Sequence, residues 1–117
     1  MIEMTEELAF KMFEKYIQAW NERNTTALEQ MFGMDVFLMD WDVAVQGNKS
    51  VIGANAQIWE SVPDIHIDIM SMAFNPKTQK VFAQIMVKSV QENLDLKVID
   101  VVKFNNQKIV KVDAYKQ

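Results

Sequence analysis

The second half of the sequence alternates apolar and polar residues with the period of two that is typical of β-strands. Short connections rich in turn-forming residues separate these runs, so neighbouring runs are expected to pair antiparallel. The predicted strands are a run from Ile65 to the turn Asn75-Pro76-Lys77-Thr78, then Lys80–Gln91, Leu94–Asn105 and Lys108–Tyr115. Asn105-Asn106-Gln107 has the composition of a tight hairpin turn. This half of the chain therefore predicts an antiparallel sheet.

The first half of the sequence has helical periodicity both before and after one further predicted strand. A first helix is predicted from Thr5, which can cap it, to about Glu22. Its apolar face consists of Leu8, Met12, Phe13, Tyr16, Ile17 and Trp20. Thr26 and Glu29 form a capping-box pattern for a short second helix that ends at Gly33. A strand is predicted over Met34–Val45, and a third helix over Asn48–Glu60. Helices gathered first and strands gathered last predict one α+β domain over residues 1–117, with helices packed on one face of a bent sheet.

Charge and composition exclude several classes of function. The net charge is -4, the lysines are scattered and Arg23 is the only arginine, which argues against nucleic-acid binding. With no cysteine, one histidine and no carboxylate cluster at ligand spacing, we predict neither disulfides nor a metal site. The chain starts with acidic residues where a signal peptide is basic, and no apolar run approaches the roughly 20 residues that span a bilayer. We therefore expect a cytoplasmic protein without a membrane partner.

Asp100 is the most informative polar residue, because it stands alone on an apolar strand face. The other residues of that face are Leu94, Leu96, Val98, Val102 and Phe104. A bare carboxylate there is unfavourable by roughly several kcal/mol, so it should find partners or stay protonated. A neutral carboxylic acid can donate a hydrogen bond in a dry pocket, as an oxyanion hole requires. The alternative is a twist or bulge that brings Asp100 to water or to a lysine.

Tyr16 and Asp40 are two further candidates. Tyr16 lies on the apolar face of the first helix, where a buried tyrosine usually bonds a backbone carbonyl. Asp40 follows Val36 and Leu38 on one face of the first strand, at the point where the apolar pattern becomes polar. A carboxylate at the mouth of a pocket is a candidate general base, and the alternative is a solvated strand end. We interpret His66, the single histidine, as a surface or hydrogen-bonded strand residue.

Several stretches resemble bacterial ketosteroid isomerase. Tyr16-Ile17, Ala27-Leu28-Glu29-Gln30-Met31-Phe32 and the strand from Val36 to Asp40 are similar to the first third of that family, and the spacing from Tyr16 to Asp40 matches without a gap. Leu96-Lys97-Val98-Ile99-Asp100-Val101-Val102-Lys103-Phe104 and Ala114-Tyr115 are similar to its last strands. The wider group of nuclear-transport-factor-2-like and SnoaL-like domains covers essentially the whole chain. This resemblance implies a cone-shaped α+β barrel, in which three N-terminal helices pack on the concave face of a curved, mostly antiparallel sheet.

The resemblance also implies a chemistry, with Asp40 as general base and Tyr16 and protonated Asp100 as oxyanion donors. The activity would be steroid Δ-isomerase-like proton transfer α to a carbonyl of a small apolar ligand, without a cofactor. The implied pocket lining is Met12, Trp20, Phe32, Leu38, Val98 and Val102. Phe32 replaces a family tyrosine, Asn55 falls near another, and Lys116 stands where the family has a pocket tryptophan. These departures argue against a steroid substrate more than against the acid–base chemistry.

Two other functions stay open on the sequence alone. A SnoaL-like polyketide cyclase needs much the same acid and base, and a non-catalytic binding module predicts a salt-bridged or solvated Asp100. An Asp-Arg-Asp set for epoxide hydrolysis is weakly supported, because Arg23 lies in the polar break after the first helix. A homodimer through the convex sheet face is also predicted, because four apolar residues have the parity opposite to the pocket: Ile99, Val101, Val110 and Val112.

Overall fold

Helices come first and strands last, as the periodicity predicts. The computed structural model describes residues 4–117, so the first three residues of the predicted domain lie outside the described part. The elements in that range are α1 (Glu6–Asn21), α2 (Thr25–Met31), β1 (Phe32–Met39), β2 (Ala44–Gln46), α3 (Asn48–Ser61), β3 (His66–Asn75), β4 (Lys80–Ser89), β5 (Leu94–Asn105) and β6 (Lys108–Lys116). The α+β class is confirmed.

Side-chain caps set where the first two helices begin. Thr5 Oγ1 accepts a hydrogen bond from the Leu8 backbone N–H at 3.2 Å, which confirms the predicted cap of α1. α2 begins two residues earlier than predicted, because Asn24 Oδ1 accepts the Ala27 N–H at 3.0 Å and takes the capping role assigned to Thr26. The predicted helix end at Gly33 is wrong, since Phe32 already has extended dihedral angles and starts β1.

The predicted strand Met34–Val45 is in fact two strands joined by a turn. Asp40 Oδ1 accepts the backbone N–H groups of Asp42 and Val43 at 2.7 Å each, and the Asp40 N–H donates to the Val43 carbonyl at 2.8 Å. Such local bonds between a side chain and the backbone favour turns over a continuing strand. β1 therefore ends at Met39, and β2 returns antiparallel to it.

The six strands form one curved sheet in the order β2-β1-β6-β5-β4-β3. β1 and β6 run parallel, and every other neighbouring pair is antiparallel. The expected closure into a barrel is wrong, because β2 and β3 each have a single neighbour and remain sheet edges. The helices pack on one face of the sheet, with α1 against β3 and α3 against β1.

A β-bulge in β6 changes which residues face inward. Lys103 pairs with Lys111, but Phe104 pairs with Ile109, so Val110 is an extra residue on β6. As a result Ile109 and Val112 both lie in the core, although they are three residues apart. The prediction that Val112 lies on the outer face is therefore wrong, whereas Ile99 and Val101 keep the predicted outer parity.

The core lies between the helices and the inner face of the sheet. Phe13, Leu28, Val36 and Phe104 are among its largest fully buried side chains. The predicted inward face of β5 is confirmed, since its even-numbered residues from Val98 onward are all buried. In the described part of the chain, no helix has the length and apolar character needed to cross a membrane.

Candidate active site

A cavity of about 250 Å³ opens between α1, α3 and the inner face of the sheet. Its wall is mainly apolar and includes Trp20, Leu38, Ile58, Ile67, Val87, Leu94, Leu96 and Val98. The polar side chains in the wall are Tyr16, Asp40, Asp42, Asn55 and Asp100. The structure thus brings the three predicted catalytic residues, Tyr16, Asp40 and Asp100, to one cavity.

Asp100 occupies the deep part of this cavity. Exposure falls along β5 from the half-buried Leu94 and Leu96 to Asp100, which is 6% exposed. The register partners of Asp100 are Ala83 on β4 and Ala114 on β6, and these small side chains leave space beside the carboxyl group. Burial raises the pKa of Asp100 to about 7, and the charge of Asp40 adds to the shift. Near neutral pH a large fraction of Asp100 is therefore protonated and able to donate a hydrogen bond.

The alternative in which Asp100 meets a lysine does not match the structure. Among residues 4–117 no ion pair involves Asp100. A bulge at Asp100 would turn its side chain outward. The bulge in this pair of strands is on β6, away from the pairing of Asp100 with Ala114. Asp100 thus keeps the inward parity that the alternation predicts.

Tyr16 lies on the buried face of α1 and is 5% exposed. Its ring makes edge contacts with Phe13 and Phe32, at centroid distances of 6.0 and 5.8 Å. Burial raises the pKa of the Tyr16 hydroxyl above its ordinary value, and the negative charge of Asp100 raises it further. Tyr16 is therefore a fixed, neutral O–H donor beside the Asp100 carboxyl.

Asp40 follows the last residue of β1 and is half-buried in the cavity wall. One carboxylate oxygen, Oδ1, is engaged by the turn bonds from Asp42 and Val43 described above. These bonds fix the orientation of the carboxylate and do not engage its other oxygen, Oδ2. The same turn places Trp41 and Asp42 in the cavity wall.

The predicted apolar lining is found in part. Trp20, Leu38 and Val98 line the cavity, whereas Met12, Phe32 and Val102 do not. Phe32 packs behind the Tyr16 ring, and Val102 lies beyond Asp100 in the closed core, between Val81 and Val112. Met12 is one helical turn before Tyr16 and is partly buried against the core.

Asn55 is a buried polar wall residue that the predicted pocket lining did not include. It is 4% exposed, and its Oδ1 accepts a hydrogen bond from Trp20 Nε1 at 3.1 Å. A signal for it exists in the sequence, since Val51, Asn55 and Trp59 recur every four residues and form the buried face of α3. Apart from Asn48 at the first position of the helix, Asn55 is the buried amide of α3, much as Asp100 is the buried carboxyl of β5.

The remaining polar candidates lie outside the cavity. His66 lies on β3 with Nε2 3.8 Å from an Asp68 carboxylate oxygen, on the opposite face of the sheet. Arg23 donates to the backbone carbonyls of Asn21, Pro63 and Ile65 at 2.8 to 2.9 Å, which joins the loop after α1 to the loop after α3. Lys116 lies with its Nζ 5.4 Å from the Trp41 ring centroid, so it contacts a wall residue from outside. No group of three metal-binding side chains is found in the described range.

Solved structures share this architecture. An NTF2-like protein of unknown function from Cytophaga hutchinsonii superposes with a TM-score of 0.78 at 10% identity, covering 93% of this chain and 89% of that chain. A candidate ketosteroid isomerase from Kribbella flavida gives 0.80 at 11% identity, covering 95% and 78%. A candidate SnoaL-like polyketide cyclase from Jannaschia gives 0.82 at 10% identity, covering 93% and 85%. At these identities the likeness establishes the fold.

The sequence comparison identifies the family. No curated protein matches the chain significantly. A family model described as the SnoaL-like domain matches residues 13–112, a range that includes Tyr16, Asp40, Asn55 and Asp100. Because this match covers most of the sequence, the chain belongs to the SnoaL-like domain family.

Proposed function

We propose that the chain catalyses proton transfer next to the carbonyl group of a small apolar ligand. The observation that carries the proposal is Asp100, a carboxyl group buried in an apolar cavity with a pKa of about 7. A buried acid of this kind, beside a tyrosine and near a second carboxylate, is the arrangement expected of an acid–base site rather than of a core. The wall residues Tyr16 and Asp40 supply those two neighbours.

Tyr16 and Asp100 would bind the carbonyl oxygen of the substrate with two O–H donors. Burial raises the pKa of both groups, so Tyr16 keeps its proton and a large fraction of Asp100 is protonated near neutral pH. When a proton leaves the α carbon, negative charge moves onto the carbonyl oxygen, and the two hydrogen bonds become stronger. Donors fixed before the reaction need no reorganisation at that moment, so they stabilise the enolate more than the ground state.

Asp40 would act as the base through Oδ2, while Oδ1 stays bonded to the Asp42 and Val43 N–H groups. It takes the α proton, and the C–H electron pair enters the dienolate of a β,γ-unsaturated ketone. The Asp40 carboxylic acid then returns the proton to the γ carbon, which leaves the double bond conjugated with the carbonyl. Protons and electrons balance within the substrate and Asp40, so no cofactor is required.

Cyclisation of a polyketide-type substrate is the second candidate, favoured by the family match and by the similarity to the Jannaschia protein. Here the same enolate carbon would attack a second carbonyl carbon of the substrate, and the alkoxide formed at that carbonyl would take the proton from the Asp40 carboxylic acid. The two functions share Asp40 and the oxyanion donors and differ in their products. A non-catalytic binding role is less well supported, because it predicts a salt-bridged or solvated Asp100.

The test is turnover of β,γ-unsaturated ketones of increasing size, from 3-cyclohexenone to a 5-ene-3-ketosteroid, followed by the absorbance of the conjugated product. The cavity of about 250 Å³ is below the roughly 300–1,000 Å³ typical of sites for drug-sized ligands, so we expect faster turnover of the smaller ketones. Asp40→Asn removes the base and should slow turnover by about 10²- to 10⁴-fold.

Asp35→Asn is the matched control, since Asp35 is an exposed carboxylate on the same strand. It should retain wild-type turnover. Full activity of Asp40→Asn would overturn the mechanism. Absence both of conjugated product and of solvent-deuterium incorporation at the α carbon, across the whole ketone series, would overturn the proposed function.

A further inference from the structure

Three buried side-chain atoms in residues 4–117 have no hydrogen-bond partner: Asn48 Oδ1, Asn55 Nδ2 and Trp59 Nε1. Buried polar groups in folded proteins are nearly always bonded, so each exception needs an explanation. Of the three residues only Asn55 belongs to the wall of the cavity that holds Tyr16, Asp40 and Asp100. The mechanism proposed above does not use its amide.

The orientation of the Asn55 amide follows from its neighbour. Trp20 Nε1 can only donate a hydrogen bond, so the atom 3.1 Å from it must be the acceptor Oδ1. Turning the amide over would place two donors against each other and is therefore disfavoured. The Trp20 indole is itself fixed, because Trp20 is 5% exposed and its ring makes an edge contact with Trp59 at a centroid distance of 5.5 Å. Nδ2 is thus held as a donor without a protein acceptor.

This donor is separate from the oxyanion donors. Trp20 follows Tyr16 by one turn on the buried face of α1, so the bond from Trp20 to Asn55 lies about one turn further along the helix than the Tyr16 side chain. Around it the wall is apolar, with Ile58 on α3 and Ile67 on β3. A ligand whose carbonyl oxygen lies at Tyr16 and Asp100 would therefore need a second oxygen to reach Asn55.

We propose that Asn55 Nδ2 donates a hydrogen bond to a second acceptor oxygen of the substrate, so that the cavity selects oxygenated carbonyl compounds over ketones with a hydrocarbon remainder. The inference rests on the proposed function for the position of the first oxygen. Trp20 is the positioning residue, because its N–H fixes which amide atom remains available. The second oxygen belongs to a hydroxyl, carbonyl or ether group, all of which accept a hydrogen bond.

Binding of matched phenols tests the inference without turnover. The hydroxyl of a phenol can bind Tyr16 and Asp100, and 4-hydroxyacetophenone and 4-isopropylphenol differ mainly in whether the second substituent carries an acceptor oxygen. The 3-substituted pair covers a second direction across the cavity. Affinities of each pair are measured by calorimetry for the wild-type protein and for Asn55→Leu. Because intrinsic differences between the two ligands are the same for both proteins, the change in their affinity ratio isolates the Asn55 contact.

We expect the ratio of acetyl to isopropyl affinity to fall by about tenfold in Asn55→Leu for at least one of the two pairs, as the loss of one buried hydrogen bond implies. Trp20→Phe is the second variant, since it keeps an aromatic ring against Trp59 and removes the N–H that fixes the Asn55 amide; it should weaken the same preference. Ratios that stay within twofold of the wild-type values in both variants, for both pairs, would overturn the inference.

The two proposals fail in different experiments. An unchanged phenol ratio together with a slow Asp40→Asn enzyme leaves the proton transfer standing and removes the role of Asn55. A ratio that depends on Asn55 in a protein that converts no ketone supports the second binding group and overturns the proposed activity.

Discussion

Replacing Asp100 with asparagine should stabilise the protein at neutral and alkaline pH and leave its stability in acid almost unchanged. The pKa of Asp100 in the folded protein is about 7, roughly three pH units above its reference value of 3.8. At about 1.4 kcal/mol per unit, ionising this buried carboxyl costs the folded state about 4 kcal/mol. Below about pH 3 the group is neutral in both the folded and the unfolded chain, so no difference arises. As the pH rises towards 7 the unfolded chain loses the proton first, and stability is lost over that interval.

Urea unfolding of wild type and Asp100→Asn between pH 4 and pH 8 measures this effect, since the other ionisable groups are common to both proteins. The difference in unfolding free energy should grow by up to about 1.4 kcal/mol per pH unit from pH 4 to pH 7 and then become constant. Asp95→Asn, on the exposed face of the same strand, controls for the removal of one negative charge from β5. A difference that does not vary with pH would refute the buried, protonated carboxyl, and with it the second oxyanion donor.

Three further predictions concern single side chains and the outer face of the sheet. Tyr16→Phe keeps the aromatic packing but removes the hydroxyl, so kcat for ketone isomerisation should fall by about 10²- to 10³-fold while the urea midpoint does not decrease. Arg23→Lys cannot reproduce the forked bonds to three backbone carbonyls and should lower the unfolding free energy by about 2–4 kcal/mol; an unchanged urea curve would contradict this role. The outer sheet face leaves Phe82 40% and Tyr115 59% exposed beside Val101 and Ile99, and we propose that a second copy of the chain covers it. Light scattering should then report a dimer for wild type and a monomer for Phe82→Glu, and a monomeric wild type at micromolar concentration would contradict the proposal.

Local patterns in the sequence were sufficient for the elements and for part of the site. Helical and strand periodicities depend on which residues share a face, so α1, α3 and β5 could be assigned with nearly correct bounds. The inward position of Asp100 followed from the same alternation. Asn55 could have been found by the equivalent argument on α3, as a polar residue between Val51 and Trp59 on a buried helical face.

Other features depend on contacts between distant segments. The bulge at Val110 has no signature of its own, because it exists only in the pairing of β6 with β5, and it reversed the expected orientation of Val112. The turn at Asp40 was not predicted, although the apolar pattern becomes polar there, because the strand ends through the bonds of one carboxylate oxygen to two backbone N–H groups. The sequence also did not show that the sheet stays open, because packing decides which strands lie at its edges.

The sequence by itself determined the order of helices and strands, the inward parity of β5 and the presence of one carboxyl on an apolar face, because each of these depends on neighbours within a few residues along the chain. Only the tertiary structure decided that Tyr16, Asp40 and Asp100 share a cavity and that Trp20 fixes the Asn55 amide. Those relations join residues from different elements, and the distance between such residues is set by how α1 and α3 pack across the curved sheet.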